Sequence, residues 1–313
     1  MVEYILRRLL ATIPVLAVVA IVVFSILHLT PGDPAAMIAG DQGTEEQIQQ
    51  IRQKLGFDRP IHEQFYVWLV NVSQGNLGVS IFSNKPVTEL LAQRIEPTIA
   101  LTVTTTIVTV FLALPLGVLA AWHAGSLIDR SVMSFAVLGF AFPVFVIGYI
   151  LIYVFALKLS ILPVQGYVSI SEGFWPFLQH LILPSFALGM SFTALIARIT
   201  RASVLEVLSQ DHIRTAKAKG VPTAPLLCSH ALKNAAVPIV TIIGVGIALL
   251  LSGVVVTESV FAIPGVGRLV VDAILSRDYP VIQGVLIVFA LVYVLINLVI
   301  DVSYVFLDPR IRY

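Results

Sequence analysis

Charged residues are scarce in this 313-residue sequence: 12% are Asp, Glu, Lys or Arg, against about 25% in an ordinary soluble domain. Six stretches contain none of these four residue types, and each exceeds the roughly 18 residues that a membrane-spanning helix requires. A bilayer offers backbone groups no water, so an apolar stretch inside it must bond to itself as a helix. The scarcity of charge therefore predicts an all-α polytopic membrane protein with six transmembrane helices. The stretches are residues 9–32, 97–128, 131–157, 173–197, 234–257 and 279–300.

Cysteine is almost absent. The single Cys228 excludes an intrachain disulfide and a cysteine-based metal cluster, and we expect it to pack as a small apolar side chain. The six histidines are scattered without a pair at metal-ligand spacing, so no metal site is predicted. No G-x-x-x-x-G-K-S/T sequence occurs, so the chain cannot hold nucleotide phosphates in the P-loop manner.

Orientation follows from the positive charges. The first apolar stretch is too long for a cleavable signal peptide and is expected to stay as the first span. With the N-terminus in the cytoplasm, the inside segments hold eleven bases and five acids, and the outside segments hold eight bases and twelve acids. The positive-inside rule therefore predicts two cytoplasmic termini. Residues 1–30 form the N-terminus and first span, residues 31–96 an extracytoplasmic segment, and residues 97–313 a core of five spans.

The extracytoplasmic segment is predicted to be a small helical cap. Thr44 and Gln47 form a capping box at the start of its first helix, and Gly56 can end that helix. A second helix with an apolar stripe starts at Pro60, and a third short helix near residues 87–95 leads into the second span. The charged faces of the cap are either plain solvated surface or a docking site for a partner.

A second external segment, residues 258–283, combines a tight turn at Pro264, Gly265 and Gly267 with a short amphipathic helix. Three apolar side chains are expected to pack against the spans or to enter the mouth of a path: Phe261, Val266 and Leu269. Five charged residues either line that mouth or pair at the surface: Glu258, Arg268, Asp272, Arg277 and Asp278.

Small residues and prolines recur within the predicted spans. Ala113, Gly117 and Ala121 stand at four-residue spacing on the second span and permit close helix contact. These features fit ordinary membrane packing as well as a moving joint. Three prolines are candidates for kinks in their spans: Pro115, Pro143 and Pro184.

One polar segment, residues 198–235, separates the fourth and fifth spans on the cytoplasmic side. The helix of the fourth span is expected to continue inward, with Lys217 and Lys219 in its last turn and Gly220 in the left-handed conformation that ends it. Thr223 can cap a second helix that returns to the membrane. The basic residues of this whole segment suit either a groove on another protein or anionic lipid headgroups. The resulting hairpin is kept slim by small residues: Thr215, Ala216 and Ala218.

The motifs of this sequence resemble those of ABC-importer permeases. Arg214-Thr215-Ala216 and Gly220 hold the places of the family signature Glu-Ala-Ala, three residues, then Gly. "DHIRTAKAKG" followed by "HALKNA" is similar to the variant of the dipeptide/oligopeptide/nickel branch. Other matching motifs follow in order along the chain: "RRLL" at Arg7, "PGDP" at Pro31, "LGFDRP" at Leu55, "ILPVQGY" at Ile161, "RITRASVLEV" at Arg198, "VFAIPGVGRLVVDAILSRDYPVIQG" at Val260, and "DPRIRY" at the C-terminus.

The resemblance implies a role for each polar segment. It makes the hairpin a coupling loop that enters a cleft of a cytoplasmic ATPase subunit and transmits its closure to the spans. It makes the segment 258–283 an external gate or a docking site for a binding protein. The implied coupling residues are Asp211, His212, Arg214, Thr215, Ala216, Lys217, Ala218, Lys219 and Gly220. The implied external residues are Glu258, Phe261, Pro264, Gly265, Gly267, Arg268, Asp272, Arg277 and Asp278.

The resemblance also implies partners and a location. They are a second homologous permease, two cytoplasmic ATPase subunits that carry ATP and Mg²⁺, and an extracytoplasmic substrate-binding protein. The location is the inner (plasma) membrane of a bacterium. The chain itself is then not an enzyme, holds no cofactor and binds no nucleic acid.

The expected cargo is di- and oligopeptides, with nickel, glutathione or another small solute as the alternative. A different class, a secondary transporter driven by an ion gradient, would be expected to carry internal repeats and ionisable groups near mid-membrane. This sequence has no convincing repeat and no Asp, Glu, Lys or Arg inside its apolar stretches. A membrane enzyme would need a nucleophile, a metal or an acid–base constellation, and none stands out.

Overall fold

The computed structural model describes residues 2–29, 35–36 and 44–307. Within these residues it consists of helices and their connections, with one isolated β-bridge between Val79 and Pro86. The motif residues 31–34 and 308–313 lie outside the described residues. The α-helices are α1 (Val2–Leu29), α2 (Glu45–Leu55), α3 (Ile61–Ser73), α4 (Val87–Trp122), α5 (Leu127–Ala141), α6 (Val144–Leu151), α7 (Phe174–Leu208), α8 (Asp211–Ala218), α9 (Thr223–Pro225), α10 (Ala236–Val260), α11 (Val266–Ser276) and α12 (Tyr279–Leu307). Two π-helical segments, Ile152–Lys158 and Leu226–Leu232, and one 3₁₀ turn, Ile170–Glu172, complete the described elements.

Five helices among the described residues are long and apolar enough to cross a membrane, and a sixth span results if one bent pair is counted as one. The polytopic all-α fold is therefore confirmed, whereas the number of six spans depends on that bent pair. The five spans are Leu10–Leu29 within α1, the whole of α4, α7 and α10, and Tyr279–Ser303 within α12.

The third predicted span, residues 131–157, is not one helix. α5 ends at Ala141, α6 begins at Val144, and the two arms are bent by 103°. Phe142 between them is extended, with φ −94° and ψ 131°, because the ring of Pro143 disfavours a helical backbone in the residue before it. The kink predicted at Pro143 is therefore confirmed, and it is sharp enough to divide the third stretch into two helices. The other two kink candidates lie inside continuous helices: Pro115 and Pro184.

The helical cap follows its sequence signals in part. The Thr44 hydroxyl accepts the Gln47 N–H, and the Gln47 side chain accepts the Thr44 N–H, so the predicted capping box is confirmed. Gly56 ends α2 in the left-handed conformation, with φ 73°. The separate helix predicted near residues 87–95 is instead the beginning of α4, which continues without interruption to Trp122.

The chain divides into two compact units, Met1–Arg94 with Leu269–Val294 and Ile95–Arg268 with Leu295–Tyr313. Within the first unit, the C-terminal end of α1 packs against α3. The ring centroids of Phe24 and Phe65 are 5.2 Å apart. His28 Nε2 lies 3.1 Å from Gln64 Oε1. Aromatic packing and one polar contact therefore fix α3 to the end of the first span.

Within the second unit, α7 is the central helix. In its most apolar window 61% of the residues are buried, against 33% or less in the other four spans. α4, α5 and α10 each approach α7 with a glycine at the contact. The contacts are Gly117 with Thr200, Gly139 with Met190, and Gly253 with Leu188. The close contact predicted for the second span is therefore confirmed, and Ala113 and Ala121 are buried on the same helix.

Replacing Gly117 by alanine should destabilise the contact between α4 and α7. A Cβ atom there would lie 2.6 Å from Thr200 Cβ and 2.7 Å from the Ala197 carbonyl oxygen. We expect Gly117→Ala to lower the free energy of unfolding by about 1–3 kcal/mol, as overpacking in a core does. The measurement is thermal unfolding of the detergent-purified chain.

Gly246→Ala is the matched control. The nearest atom to a Cβ at this buried position of α10 would be 3.6 Å away, an ordinary contact. Because alanine favours a helix over glycine by up to about 1 kcal/mol, this variant should be neutral or slightly stabilised. Equal losses in the two variants would contradict the glycine-dependent packing of α7.

Candidate functional site

The hairpin between α7 and α10 begins with a break after α7. α7 ends at Leu208, Gln210 is extended with ψ 152°, and α8 starts afresh at Asp211. The Ser209 hydroxyl donates to the Glu206 carbonyl oxygen at 2.7 Å, a local bond of the kind that competes with helix continuation. The predicted continuation of the fourth span through the hairpin is therefore wrong, and α8 is a separate helix.

The apolar face of α8 is fixed to the spans. Ile213 is fully buried and Ala216 is 8% exposed. Ala216 is thus a packing residue, not part of a slim outer surface, whereas Thr215 and Ala218 are exposed. Both buried residues belong to one cluster with side chains from the ends of α4, α7 and α10 and from the second arm of the hairpin. Its buried members are Ala121, Val204, Val207, Ile213, Ala216, Leu226, Ala231, Ala235 and Ile239.

The opposite face of α8 is polar and open to solvent. Arg214 and Asp211 form an ion pair at 3.5 Å, with side chains 75% and 96% exposed, so this pair contributes little stability. Lys217 Nζ lies 5.0 Å from the centroid of the Trp122 ring of α4, a cation–π distance. The other predicted coupling residues on this face are also exposed: His212, Thr215, Ala218, Lys219 and Gly220.

Gly220 ends α8 as the sequence predicts. It has φ +78°, its N–H donates to the Lys217 carbonyl at 2.9 Å, and the Val221 N–H donates to the Ala216 carbonyl at 3.2 Å. These two bonds form a Schellman motif. A Cβ at Gly220 would meet nothing within 4 Å. A side chain there would therefore point into open space and not into the chain itself.

The second arm of the hairpin departs from two predictions. Thr223 is the first helical residue of α9 and makes no capping bond, because Pro222 occupies the cap position. The arm continues as the π-helical segment Leu226–Leu232, in which Leu226 and Ala231 are buried. Cys228 lies on this arm and is exposed. The expectation that Cys228 packs as a small apolar side chain is wrong, because the neighbouring buried positions face the cluster instead.

The ion pair between Asp129 and Arg201, beside the hairpin, was not predicted from the sequence. Asp129, at the start of α5, is 4% exposed and binds Arg201 of α7, with Nη2 to Oδ2 at 2.7 Å. The Gly125 N–H donates to the same carboxylate at 2.9 Å. The pair connects the turn between α4 and α5 to the part of α7 that precedes α8. The available signal was an acid and a base on the same predicted side of the membrane, each next to an apolar stretch.

The segment 258–283 is more buried than its charges suggest. Phe261 is 2%, Val266 2% and Leu269 6% exposed. Phe261 packs in one cluster with residues of α4, α7 and α10, so its predicted packing against the spans is confirmed. Two of the five charged residues are also buried: Glu258 at 0% and Asp278 at 4%. Lining a mouth or pairing at the surface would require exposed side chains, so these two predicted roles are wrong for Glu258 and Asp278 in this structure. The remaining predicted residues vary: Gly265 and Gly267 are buried, Arg268 is half-buried, and Pro264, Asp272 and Arg277 are exposed.

Asp278 is held by the cap. Its carboxylate accepts the Ser80 hydroxyl at 2.5 Å and the Ile81 N–H at 3.2 Å. Both donors belong to the short segment between α3 and α4, and Asp278 directly precedes α12. A buried carboxylate with two donors is satisfied. Asp278 therefore anchors this segment of the cap to the start of α12.

Ile213→Ala should detach α8 from the spans without changing its exposed face. Loss of a fully buried isoleucine from a packed cluster destabilises by about 2–5 kcal/mol. His212→Ala, one residue earlier and exposed, should stay within about 0.5 kcal/mol of wild type. Thermal unfolding in detergent measures both. A similar small effect of the two variants would contradict the assignment of the buried face.

Comparison with known proteins adds the family. The family described as "Binding-protein-dependent transport system inner membrane component" matches residues 113–313, and its N-terminal counterpart matches residues 1–102. The probable peptide ABC transporter permease protein y4tP of Sinorhizobium fredii is 54% identical over 310 residues, 99% of each chain. The glutathione transport system permease protein GsiC of Escherichia coli (strain K12) is 44% identical over 313 residues, 100% of each chain.

A solved structure supports the same fold. The MetNI methionine ABC transporter in inward-facing conformations superposes with a TM-score of 0.59 at 17% identity. The match covers 70% of this chain and 96% of that chain. The sequence matches extend over nearly the whole length and include a relative more than half identical. This chain therefore belongs to the inner-membrane permease components of binding-protein-dependent transport systems.

Proposed function

We propose that this chain forms half of the translocation path of an ATP-driven importer of di- and oligopeptides in a bacterial inner membrane. Both termini and the hairpin face the cytoplasm in this proposal, and the cap and the segment 258–283 face outward. The excess of bases over acids in the inside segments supports this orientation. A peptide cargo is supported by the 54% identical relative, which is a probable peptide permease.

The exposed face of α8 is the observation that carries the proposal. A short helix with its apolar face buried among three spans and its polar face in solvent has the form of a docking element. Since Ile213 and Ala216 fix it to the ends of α4, α7 and α10, a push on α8 moves those ends with it. The hairpin thus serves as a rigid lever for a cytoplasmic partner.

The partner that drives the lever is a pair of ATPase subunits. The chain has no P-loop sequence, so ATP and Mg²⁺ bind to those subunits and this chain is not itself the enzyme. Their closure on ATP displaces the hairpin, and the spans alternate between inward-open and outward-open packings. A second, homologous permease completes the path, and an external binding protein delivers the cargo.

Gly220→Asn tests the docking. Asparagine tolerates a positive φ better than other side chains, and its side chain would enter open space, so the folded chain itself should change little. We expect the variant to bind the ATPase subunits about tenfold more weakly, equivalent to about 1.4 kcal/mol, and to lose ATP-dependent uptake. Copurification of the subunits and uptake into proteoliposomes measure the two effects.

Gly75→Asn is the control for this experiment. Gly75 ends α3 with φ +81°, no atom lies within 4 Å of its Cβ position, and its Schellman bonds run to Val72 and Asn71. It therefore shares the backbone conformation of Gly220 but lies in the cap. We expect normal ATPase binding and uptake from Gly75→Asn. Normal uptake by Gly220→Asn would refute the coupling role of α8.

Glutathione is the second candidate cargo, because a relative 44% identical over the full length is a glutathione permease. The cognate external binding protein can be incubated with a mixture of α-linked di-, tri- and tetrapeptides and glutathione, and its retained ligands identified by mass spectrometry. We expect α-linked peptides to be retained. Retention of glutathione alone would replace the peptide assignment and leave the coupling role unaffected.

A further inference from the structure

A fully buried carboxylate lies near the end of α10. Glu258 stands two residues before the last residue of that helix, Val260, and has no exposed surface. A buried acidic side chain is costly unless hydrogen bonds satisfy both of its oxygens. The hydrogen bonds of the Glu258 carboxylate therefore show which elements this residue joins.

Glu258 and Thr98 together cap the start of α11. The Thr98 hydroxyl of α4 donates to Glu258 Oε1 at 2.6 Å and accepts the Val266 N–H at 2.8 Å. The Arg268 N–H donates to Glu258 Oε2 at 2.8 Å. Val266 and Arg268 lie in the first turn of α11, where N–H groups have no acceptor within their own helix. A carboxylate is also favoured at this positive end of a helix dipole.

Two glycines allow this junction to close. A Cβ atom on Gly265 would collide with the Glu258 carboxylate, and one on Gly267 would lie 2.7 Å from Val255 Cα. Neither glycine has a positive φ, so the residue type is required by close approach and not by the turn conformation predicted from the sequence. The start of α11 therefore rests directly on the last turns of α10.

α10 extends from the coupling hairpin to this junction. It begins at Ala236, four residues after the π-helical segment Leu226–Leu232 of the hairpin, and ends at Val260. A helix of 25 residues is about 37 Å long at 1.5 Å per residue. Ile239 near its start belongs to the cluster that holds α8. One continuous helix thus contains both Ile239, which packs in the cluster beneath the hairpin, and Glu258.

We propose that Glu258 is a positioning residue that makes the start of α11 move with α10. Displacement of the hairpin by the ATPase subunits then moves residues 258–268, because the start of α11 is hydrogen-bonded to the far end of the same helix. The proposal rests on the coupling role proposed above. The motion of α10 is transmitted through two hydrogen bonds of the Glu258 carboxylate, one from the Thr98 hydroxyl and one from the Arg268 N–H.

The test compares ATP hydrolysis and uptake in the same proteoliposomes. These contain the assembled transporter, its binding protein and a labelled tripeptide or glutathione, whichever that binding protein retains. We expect Glu258→Ala to assemble and hydrolyse ATP at close to the wild-type rate. Its uptake should fall at least about fivefold, the lower end of a typical coupling between sites. Glu258→Gln, which keeps one carbonyl acceptor, should recover part of the uptake.

Ser259→Ala is the matched control. Ser259 is the next residue of α10, is exposed, and its hydroxyl bonds only to the Val255 carbonyl of its own helix in the described contacts. We expect normal uptake and hydrolysis from it. If uptake and hydrolysis instead fall together in Glu258→Ala, in proportion to the amount of folded transporter, Glu258 is only a stabilising residue and the proposal is overturned.

A double substitution checks the geometry independently. Gly265→Ala alone should impair uptake, because its methyl group meets the Glu258 carboxylate. Adding Gly265→Ala to Glu258→Ala should cause little further loss, since the colliding group is gone. Additive losses would contradict the junction as described.

The outcomes separate this inference from the proposed function. If Gly220→Asn leaves uptake intact, the coupling role of the hairpin fails and this inference fails with it. If Gly220→Asn abolishes uptake while Glu258→Ala imports normally, only the role of Glu258 is rejected.

Discussion

Close approach of helices at glycine is the constraint on which the second unit depends. In a bilayer the hydrophobic effect does not draw apolar helices together, because lipid tails are as apolar as leucine, so association relies on packing at short distance. α7 meets α4, α5 and α10 at Gly117, Gly139 and Gly253. Each contact would be crowded by one methyl group. The central position of α7 follows from these three small surfaces more than from its own hydrophobicity, which is lower than that of α10.

Three charged residues of the second unit that are buried or half-buried lie near the ends of its long helices. Asp129 and Arg201 join the α4–α5 turn to the last part of α7, and Glu258 joins the last turns of α10 to the start of α11. All three side chains make directed bonds in place of bonds to solvent. Packing at the glycines therefore brings the helices close together. The hydrogen bonds of the charged side chains then fix which helices and turns are joined at each end.

The hydrophobic pattern and the helix-end signals of the sequence were sufficient to predict most helices, but not the tertiary contacts between them. The capping box of Thr44, the left-handed Gly56 and Gly220, and the long apolar helices depend on local interactions, and all were predicted. The separate α8 and the uncapped Thr223 depend on how neighbouring residues compete for one conformation. The burial of Glu258 and its bonds to Thr98, 160 residues away in the chain, depend on tertiary contacts that no local pattern contains.

The bend at Pro143 has a consequence for what surrounds the chain. In the helix that starts afresh at Val144, the Val146 and Ile147 N–H groups donate to the Pro143 carbonyl oxygen, whereas the N–H groups of the first two residues have no acceptor one turn earlier in a helix. Hydrocarbon cannot hydrogen-bond them, and irregular backbone at membrane depth persists only beside protein or water. Phe140 and Phe142 at this bend are 62% and 49% exposed in the single chain. These rings suit acyl chains, whereas the unbonded N–H groups beside them require a polar or protein neighbour in a bilayer.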